Sequence, residues 1–470
     1  MIDGVKMRNM FVTMSDVAID LDCIDFQHLS EQINTLPDHI KIWLENSNPT
    51  GLNPRKCYAV YDPKGQLVRV VYVYDSNDKF WACASLFDQI PADYVYRLPT
   101  NLSQEVQVDL MITWAMAAYS FRTYKTTEVE SQPRLSLDLN QQTLYQQAAE
   151  PLIESIYLTR NLINMPCEEL TPSQLARHSQ HLADEMGARC EIVSDIETIR
   201  TDFPLVHAVG RASKNQPQVI KITWGDPSHY KLGLVGKGVC YDTGGLNLKP
   251  GQSMLGMKKD MGGAALVLGI AYLIMKQKLP IYLQVVIPAV ENSLGSESYR
   301  PGDVFYSRKG LSVHIGNTDA EGRLILADAL SLIQDDGPLD LLVDFATLTG
   351  AQRVALGPDI PGFFSTDSQI SQQLMKSSET TVDPVWELPL YTGYKDYLKH
   401  DIADINNIGS IGLGGSILAA LFLQRFVNKD QPWVHVDFNA SNHKNMPARP
   451  KGGEAQSLRA WDHLLKQCSL

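Results

Sequence analysis

The chain has 470 residues, of which 44% are apolar and 20% are charged, and this globular composition is long enough for two domains with a large core. The net charge of −12 weighs against nucleic acid as the main partner, because phosphate binding needs a basic surface. The longest apolar run, Ala264–Met275, has twelve residues, which is too short for a helix that spans a membrane.

The seven cysteines lie singly along the chain without a CxxC pair. This arrangement is typical of reduced thiols and argues against a disulfide framework or a zinc finger. The first residues show no basic segment followed by an apolar run, so no signal peptide is predicted. We therefore expect a cytoplasmic protein with no membrane partner. Cys240 lies inside a motif described below, but we expect it to be a small buried apolar residue.

Residues 1–145 are expected to form a smaller N-terminal α/β domain. Short strand-like runs such as "QLVRVVYVYD" alternate with helix-like stretches, and Glu105–Lys125 has apolar residues at helical spacing. This part of the sequence contains no cluster of acids, histidines or cysteines. We predict that it serves as a scaffold or assembly domain.

Residues 146–166 are predicted to form a helix that ends before Pro166 and connects the two domains. A second helix follows, with Thr171 as its N-cap and Gly187 as its C-cap. This helix begins the larger, C-terminal catalytic domain, which we assign to residues 167–470.

The C-terminal domain alternates strand patterns with helix patterns, as βαβ units do. Strands separated by helices predict a mostly parallel sheet flanked by helices. In such sheets the functional site lies at the carboxyl ends of the strands. The predicted strands are 218–225, 230–236, 281–290, 339–348 and 432–438, and the predicted helices are 261–278, 323–336 and 415–427.

Three polar segments lie at the strand ends of this domain. The first, "VGKGVCYDTGGLNLKPG", is a glycine-rich loop, and glycine lets the backbone pass close to a ligand. The second is "MKKDMGGAA", and the third is "GNTDAEGRLILADAL", where two acids and an arginine occupy alternate positions before an apolar helix. Because these loops leave one edge of the sheet, we expect their charged residues to meet: Lys237, Asp242, Lys249, Asp260, Asp319, Glu321 and Arg323.

Carboxylates gathered at one place repel one another unless some are protonated or divalent cations neutralise them. A set with few soft ligands suits Mg²⁺, Mn²⁺, Co²⁺ or Zn²⁺, and shared carboxylates suggest two ions roughly 3.5–4 Å apart. Simpler explanations are open for single residues. Asp260 and Asp319 could each cap a helix, and Lys237 and Lys249 could be surface lysines. The "GKG" segment lacks the rest of a phosphate-binding loop.

The segment "NTDAEGRLILADAL" resembles the signature of the leucine aminopeptidase, or cytosol aminopeptidase, family of dinuclear metallopeptidases. The two other polar segments resemble family segments in the same order and spacing, and so do "RNLINMPCEELTP", "ENSLGSESYRPGDV", "ATLTGA" and "DIADINNIG". The resemblance covers the second half of the chain and is thinner in the first half, where "AMAAYSFRTYK" is similar to a family helix. It implies a metal-dependent enzyme that removes the N-terminal residue from peptides.

The resemblance implies two divalent ions per subunit, Mn²⁺ or Zn²⁺, with Mg²⁺ or Co²⁺ as alternatives. Asp242 and Glu321 would contact both ions. Lys237 and Asp260 would complete the tighter site, and Asp319 would complete the looser one. A lysine binds a metal only as the neutral amine, so the ions would have to lower the pKa of Lys237.

The resemblance also implies two catalytic residues outside the metal ligands. Lys249 would polarise the scissile carbonyl and stabilise the oxyanion that develops there. Arg323 would hold a bicarbonate ion, which would act as general base toward a water that bridges the two metals. The family assembles as a homohexamer, a dimer of trimers, and we expect the same assembly here.

The implied substrate is a peptide with a free N-terminus. The residues expected to bind it are Met257, Asn317, Thr347, Leu348, Gly350, Asn439 and Asn442. Where family members often have "HLDIAG", this chain has "HVDFNA", with Asn439 where Ala is common, and Asn442 lies where some members carry an apolar residue. The two asparagines would bring amide groups to the pocket for the first side chain. Unpaired amides would favour Met, Gln, Glu or Arg over Leu. If the asparagines instead face solvent or backbone, Leu would stay preferred.

Two other functions are open. Some relatives are DNA-binding regulators, but the acidic total and the lack of a basic tract weigh against that role here. A dinuclear phosphatase is a second alternative, and the absence of histidine among the expected ligands weighs against it. Release of an aromatic amine from an aminoacyl anilide, with and without a chelator, would distinguish these functions.

Overall fold

The computed structural model describes residues 10–13, 17–48, 50–127 and 131–468. The chain forms two compact units. The larger unit contains Leu158–Asn442 and the chain from Gly452 onward, and the smaller unit contains Asp3–Tyr157 together with His443–Lys451.

The smaller unit is a mixed α/β structure. Its strands are β1 (Phe11–Thr13), β2 (Ile19–Asp25), β3 (Lys56–Tyr61), β4 (Leu67–Tyr74), β5 (Val95–Arg97) and β6 (Arg134–Leu137). Its helices are α1 (Leu29–Gln32), α2 (Asp38–Ser47), α3 (Gln104–Ala118) and α4 (Leu139–Leu144). The strands form one sheet in the order β1, β6, β5, β2, β4, β3, and only β3 and β4 pair antiparallel.

A continuous helical segment runs from α4 through a π-helical turn at Tyr145–Ala149 into α5 (Glu150–Asn164). It begins at a capping box, in which Asp138 accepts a hydrogen bond from the Gln141 N–H and the Gln141 side chain accepts one from the Asp138 N–H. The helical segment therefore starts before the predicted connecting helix, because this cap determines its first turn.

The larger unit contains the remaining elements. Its strands are β7 (Arg189–Val193), β8 (Gln218–Trp224), β9 (Tyr230–Gly236), β10 (Gly238–Asp242), β11 (Ile281–Asn292), β12 (Val304–Tyr306), β13 (Ser312–His314), β14 (Leu341–Ala346), β15 (Gly362–Ser365), β16 (Trp386–Glu387), β17 (Ile405–Asn406), β18 (Trp433–Asp437), β19 (Ser441–Asn442) and β20 (Gly452–Gly453). Its helices are α6 (Pro172–Met186), α7 (Ile196–Asp202), α8 (Pro204–Gly210), α9 (Gly251–Met254), α10 (Gly262–Lys276), α11 (Gly322–Leu332), α12 (Gly350–Leu356), α13 (Ser368–Thr381), α14 (Gly415–Gln424) and α15 (Leu458–Cys468).

A nine-stranded sheet forms the centre of the larger unit, in the order β16, β15, β18, β14, β9, β11, β8, β7, with β10 paired to β11. The strands from β18 to β11 all run parallel, and so does β10. Antiparallel pairs occur toward the edges, between β15 and β18, β11 and β8, and β8 and β7. The prediction of a mostly parallel sheet flanked by helices is confirmed.

Helix α10 explains the long apolar run in the sequence. Its residues from Gly262 to Met275 are all buried, because it packs against β9 and β14. Helix α11 ends four residues earlier than predicted, at Leu332. Asp335 and Asp336 follow it, and acidic residues are unfavourable at the negative end of a helix. Within the described ranges, no helix combines the length and the apolar character that crossing a bilayer requires.

The parallel strands determine where the first two polar segments lie. Because β18, β14, β9 and β11 run in one direction, the loops after them leave the same edge of the sheet. The first and second polar segments lie at that edge, where α/β sheets bind ligands. The third segment follows β13, which belongs to a separate three-stranded sheet of β12, β13 and β17, so the prediction that all three loops leave one sheet edge is wrong for this segment.

Candidate metal centre

Lys237 follows β9 directly and is enclosed by acids from two other segments. Its Nζ lies 2.7 Å from Asp260 Oδ2 and 2.9 Å from Glu321 Oε1. The same Nζ donates a hydrogen bond to the Thr347 carbonyl oxygen at 3.0 Å. The first and third polar segments thus meet the second one around a single buried amine.

Lys249 occupies the neighbouring position at the end of the glycine-rich loop. Its Nζ lies 2.8 Å from Asp242 Oδ2 and 2.5 Å from Asp319 Oδ1. One oxygen each of Asp242, Asp319 and Glu321 lie within 4.8 Å of one another, a spacing that can hold a metal ion. The structure therefore brings the two lysines and the four carboxylates into one cluster.

Glycines allow this close approach. A Cβ on Gly263 would lie 2.0 Å from the Phe345 carbonyl oxygen, so only glycine lets the start of α10 reach β14. A Cβ on Gly322 would lie 2.5 Å from Lys237 Cε, so this glycine leaves room for the lysine beside α11. Gly244 has a positive φ of 87°, which is the left-handed region that favours glycine.

The charges of the cluster are strongly coupled. Burial, with the charges of Glu321 and Asp260, raises the pKa of Asp242 well above its usual value. Burial would also raise the pKa of Glu321, but the charges of Lys237 and Lys249 outweigh it and lower that pKa. Burial opposes the charge on Lys237, yet the surrounding carboxylates raise its pKa. The lysines thus neutralise acids that would otherwise repel one another.

Two residues of the cluster were not predicted from the sequence. Asn292, at the end of β11, is fully buried and donates to Asp242 Oδ1 at 2.8 Å and to the Thr318 carbonyl at 3.0 Å. Tyr299 donates from its hydroxyl to the same carbonyl at 2.7 Å. Both lie in "ENSLGSESYRPGDV", which resembles a family segment, and that resemblance was the signal that could have found them.

Asn407 is a third residue without a sequence prediction. Its Oδ1 accepts the Gly316 N–H at 2.8 Å, and its Nδ2 donates to the Asn317 carbonyl at 2.7 Å. Its own carbonyl accepts a hydrogen bond from Arg323 at 2.7 Å. This one buried residue therefore holds both the loop that carries the acids and the arginine that follows them.

Arg323 is 8% exposed and lies on the first turn of α11. Burial lowers its pKa to about 10. Within the described residues its Nε is buried without a hydrogen-bond partner, so this guanidinium retains donor capacity for an anion.

The predicted substrate-binding residues lie on several sides of the cluster. Thr347 donates from Oγ1 to Asp260 Oδ1 at 2.8 Å, and Asn317 Oδ1 accepts the Asp319 N–H at 2.8 Å. The Leu348 N–H donates to Asp437 at 3.0 Å. Gly350 begins α12, and Met257 begins a 3-10 turn, Met257–Met261, that contains Asp260.

The two asparagines of the predicted pocket are both 2% exposed. The Asn439 side chain accepts from Lys259 Nζ and donates to the Ser441 carbonyl at 2.7 Å. The Asn442 amide donates to Glu454. Burial, followed by the charge of Arg353, lowers the pKa of Lys259 to about 7.

The fold and the cluster define a two-unit α/β protein with a carboxylate-rich cation site at the carboxyl edge of its sheet. The family model described as "Cytosol aminopeptidase family, catalytic domain" matches residues 157–461. A second one, "M17 aminopeptidase, N-terminal domain", matches residues 19–137. The chain belongs to the cytosol aminopeptidase family.

Individual relatives agree with this assignment. A probable cytosol aminopeptidase of Chlamydia trachomatis serovar D is 42% identical over 325 residues, which are 68% of this chain and 65% of that protein. One of Chlamydia abortus is 43% identical over 317 residues, 66% of this chain and 63% of that protein. The chain thus spans somewhat less than two thirds of the length of the curated relatives it matches.

Solved structures match over nearly the whole chain. The cytosol aminopeptidase from Coxiella burnetii has a TM-score of 0.90 and 38% identity, and the match covers 97% of this chain and 99% of that one. The bottromycin maturation enzyme BotP in complex with Mn has a TM-score of 0.83 and 27% identity, with 97% and 100% covered.

Proposed function

We propose that this protein is a metal-dependent aminopeptidase that hydrolyses the N-terminal residue from peptides. The observation that carries the proposal is the cluster of Lys237, Asp242, Asp260, Asp319 and Glu321, all buried except Asp319, in a chain of the cytosol aminopeptidase family. A protein that only bound a partner would have no need to bury so many opposed charges at one sheet edge.

The donor set suits divalent cations. Asp260 Oδ2 and Asp319 Oδ1 are buried and lie 2.7 Å and 2.5 Å from lysine Nζ atoms, so each oxygen already faces a cation. Carboxylate oxygens with an amine and no thiolate fit Mn²⁺ or Zn²⁺, with Mg²⁺ or Co²⁺ as alternatives. Two ions per subunit would share Asp242 and Glu321. Lys237 and Asp260 would complete one site and Asp319 the other, and Lys237 would ligate after losing its proton.

When bound, the two ions would supply Lewis acidity and lower the pKa of water at the site. The chain's own residues would do the rest. Lys249 would keep its proton and direct its Nζ toward the negative charge that develops on the peptide carbonyl oxygen. Its side chain is 14% exposed, against 3% for Lys237, which leaves it more accessible to a substrate.

Arg323 would hold a bicarbonate ion through the donors that Asn407 leaves free. Its buried Nε without a partner supports this assignment. A planar guanidinium suits a planar anion with two acceptors, and bicarbonate so held would serve as the general base. Arg323 itself would keep the anion oriented.

The substrates would be peptides with a free N-terminus. Their first residue would lie beside Met257, Thr347, Leu348, Gly350, Asn439 and Asn442, and Asn317 would support the loop that carries Asp319. We further propose that the protein is cytoplasmic and forms a homohexamer, a dimer of trimers, as the family resemblance implies.

Hydrolysis of aminoacyl anilides by the full chain tests the proposed function. We expect release of the aromatic amine after loading with Mn²⁺ or Zn²⁺, loss of release with a chelator, and recovery when metal is returned. An aryl phosphate serves as the control substrate and should not be hydrolysed. Release that is indifferent to the chelator, or hydrolysis of the phosphate alone, would contradict the proposal.

A further inference from the structure

Two cationic side chains, Lys259 and Arg353, lie beside the predicted pocket for the first residue of the substrate. Neither belongs to the metal cluster. Both side chains are half-buried, and among the described residues neither forms an ion pair with a carboxylate. In a chain with net charge −12, two unpaired cations at one place need an explanation.

Three segments converge at this place. A Cβ on Gly262 would lie 2.5 Å from Ala440 Cβ and 3.2 Å from Thr347 Cγ2. Thr347 also donates from Oγ1 to the Asp260 carbonyl at 3.0 Å. The 3-10 turn before α10, the loop after β14 and the loop after β18 therefore pack together next to Asp260.

Lys259 reaches from the 3-10 turn to the loop after β18. Its Nζ donates to the Asn439 carbonyl at 2.7 Å and to the Asn439 side-chain oxygen. The amide nitrogen of Asn439 is bonded to the Ser441 carbonyl. The Asn439 amide therefore has partners at both ends, and the third proton of the Lys259 ammonium is what remains to meet a ligand.

Arg353 lies one turn into α12, whose first residue is Gly350. A Cβ on Gly350 would lie 3.7 Å from its guanidinium nitrogen, so the side chain folds back over the predicted pocket residue. The nearby acids do not neutralise these cations. Asp260 contacts Lys237 and Thr347, and Asp437 accepts hydrogen bonds at both oxygens from the Leu348–Thr349 turn.

We propose that Lys259 and Arg353 select peptides whose first residue is acidic, with Glu preferred. This inference rests on the proposed aminopeptidase function. Lys259 contacts Asn439 and Arg353 lies over Gly350, both residues of the predicted pocket, so a substrate carboxylate there would meet cations and gain charge-assisted hydrogen bonds. The same pair should reject Lys and Arg at the first position, which two neutral amides alone would accept.

A panel of Glu, Gln, Leu and Lys anilides tests the inference by kcat/KM. Glu and Gln have the same size and differ in charge, so their ratio isolates the electrostatic effect. We expect Glu to exceed Gln and Leu by at least about tenfold, the lower range for a hydrogen bond to a charged group. Lys259→Met should lower the Glu-to-Leu ratio by a similar factor, mainly through KM, and Arg353→Met should do the same.

Lys258→Met is the matched control, because the Lys258 Nζ donates to the Asn164 carbonyl instead. It should keep the wild-type Glu-to-Leu ratio. Metal content measured on each variant shows whether the change next to Asp260 has disturbed the ions. Hydrolysis of Leu anilide with a Glu-to-Gln ratio near one, or a ratio that Lys259→Met leaves unchanged at full metal content, overturns the inference alone. Failure to hydrolyse every anilide overturns the proposed function instead.

Discussion

Lys237 and Lys249 have the same side chain but different surroundings. The Lys237 Nζ contacts two carboxylates and a backbone carbonyl, and its side chain is 3% exposed. The Lys249 Nζ contacts two carboxylates from the more open side of the cluster. A fully enclosed amine suits a metal ligand, whereas an accessible ammonium suits contact with a substrate.

Replacement of each lysine by alanine should separate these roles. Lys249→Ala should lose turnover by about 10²–10³-fold, the usual effect of one oxyanion donor, and keep its metals. Lys237→Ala should lose metal. Metal content by mass spectrometry and kcat with an anilide provide the measurements. Lys214→Ala, at an exposed position, is the control. Loss of metal in Lys249→Ala but not in Lys237→Ala would reverse the assignment.

Gly322 offers a second test at the scale of one residue. A methyl group there would lie 2.5 Å from Lys237 Cε, so Gly322→Ala should displace the lysine and weaken metal binding. In a helix, alanine is favoured over glycine by roughly 1 kcal/mol. This gain opposes the cost of displacing Lys237, so the free energy of unfolding should change little. Titration with Mn²⁺ and chemical denaturation measure the two effects. Gly251→Ala, with no atom within 4 Å of the added Cβ, is the control, and equal metal affinity in both variants would contradict the prediction.

At the scale of elements, the loop between β13 and α11 depends on a residue far away in the sequence. Asn407 follows β17 and bonds to Gly316, Asn317 and Arg323. It connects the acids of this loop to the arginine on the next helix. The hydrogen bonds of Asn407 therefore hold the loop that carries Asp319 and Glu321 in place.

Asn407→Ala should loosen that support. Removal of a buried amide that makes two or more hydrogen bonds costs about 1–3 kcal/mol of unfolding free energy. We expect this loss in denaturant unfolding, together with weaker Mn²⁺ binding. Asn407→Asp keeps the acceptor for Gly316 but loses the donor for Asn317, so it should lie between wild type and alanine in metal affinity. An alanine variant with wild-type stability and metal affinity would show that the loop holds its shape without Asn407.

In the larger unit, apolar patterns predicted the central strands β8, β9, β11, β14 and β18 and the helices α6, α10, α11 and α14, because buried residues recur at the period of the element. The short strands β12, β13, β16, β17, β19 and β20 were not predicted. The acids and lysines of the centre could be predicted because a long motif brings them together. Asn292, Tyr299 and Asn407 lie in segments that resemble the family, but the residues themselves did not indicate a role, since a single amide or hydroxyl has many ordinary roles. Their partners lie tens of residues away, and only the fold brings them into contact.

The contacts of polar residues near the pocket also could not be predicted from the sequence alone. Asn439 was predicted to offer its amide to a substrate, and in the structure that amide bonds to Lys259 and Ser441. Lys259 looked like one of two adjacent lysines in a loop. The fold places the end of β18 beside the 3-10 turn, and the Lys259 side chain points toward Asn439 there.

For the whole molecule, bound metal should act as a stabilising ligand. An ion at about 100 times its dissociation constant adds about 2.7 kcal/mol to the free energy of unfolding. Mn²⁺ should therefore raise the melting temperature of the wild-type chain by several degrees in calorimetry. Asp242→Ala should lose most of this rise, whereas Asp430→Ala, at an exposed position, should retain it. An equal rise in both variants would place the metal elsewhere.

Residues His443–Lys451 leave the larger unit after β19 and return to it at β20, although they cluster with the smaller unit. Because β19 and β20 pair antiparallel, the larger unit holds both ends of this excursion together. A truncation that removed the chain up to Tyr157 would leave the segment His443–Lys451 without the rest of its unit. The smaller unit is therefore built from two separate stretches of the chain, and no single continuous fragment of the sequence would contain all of it.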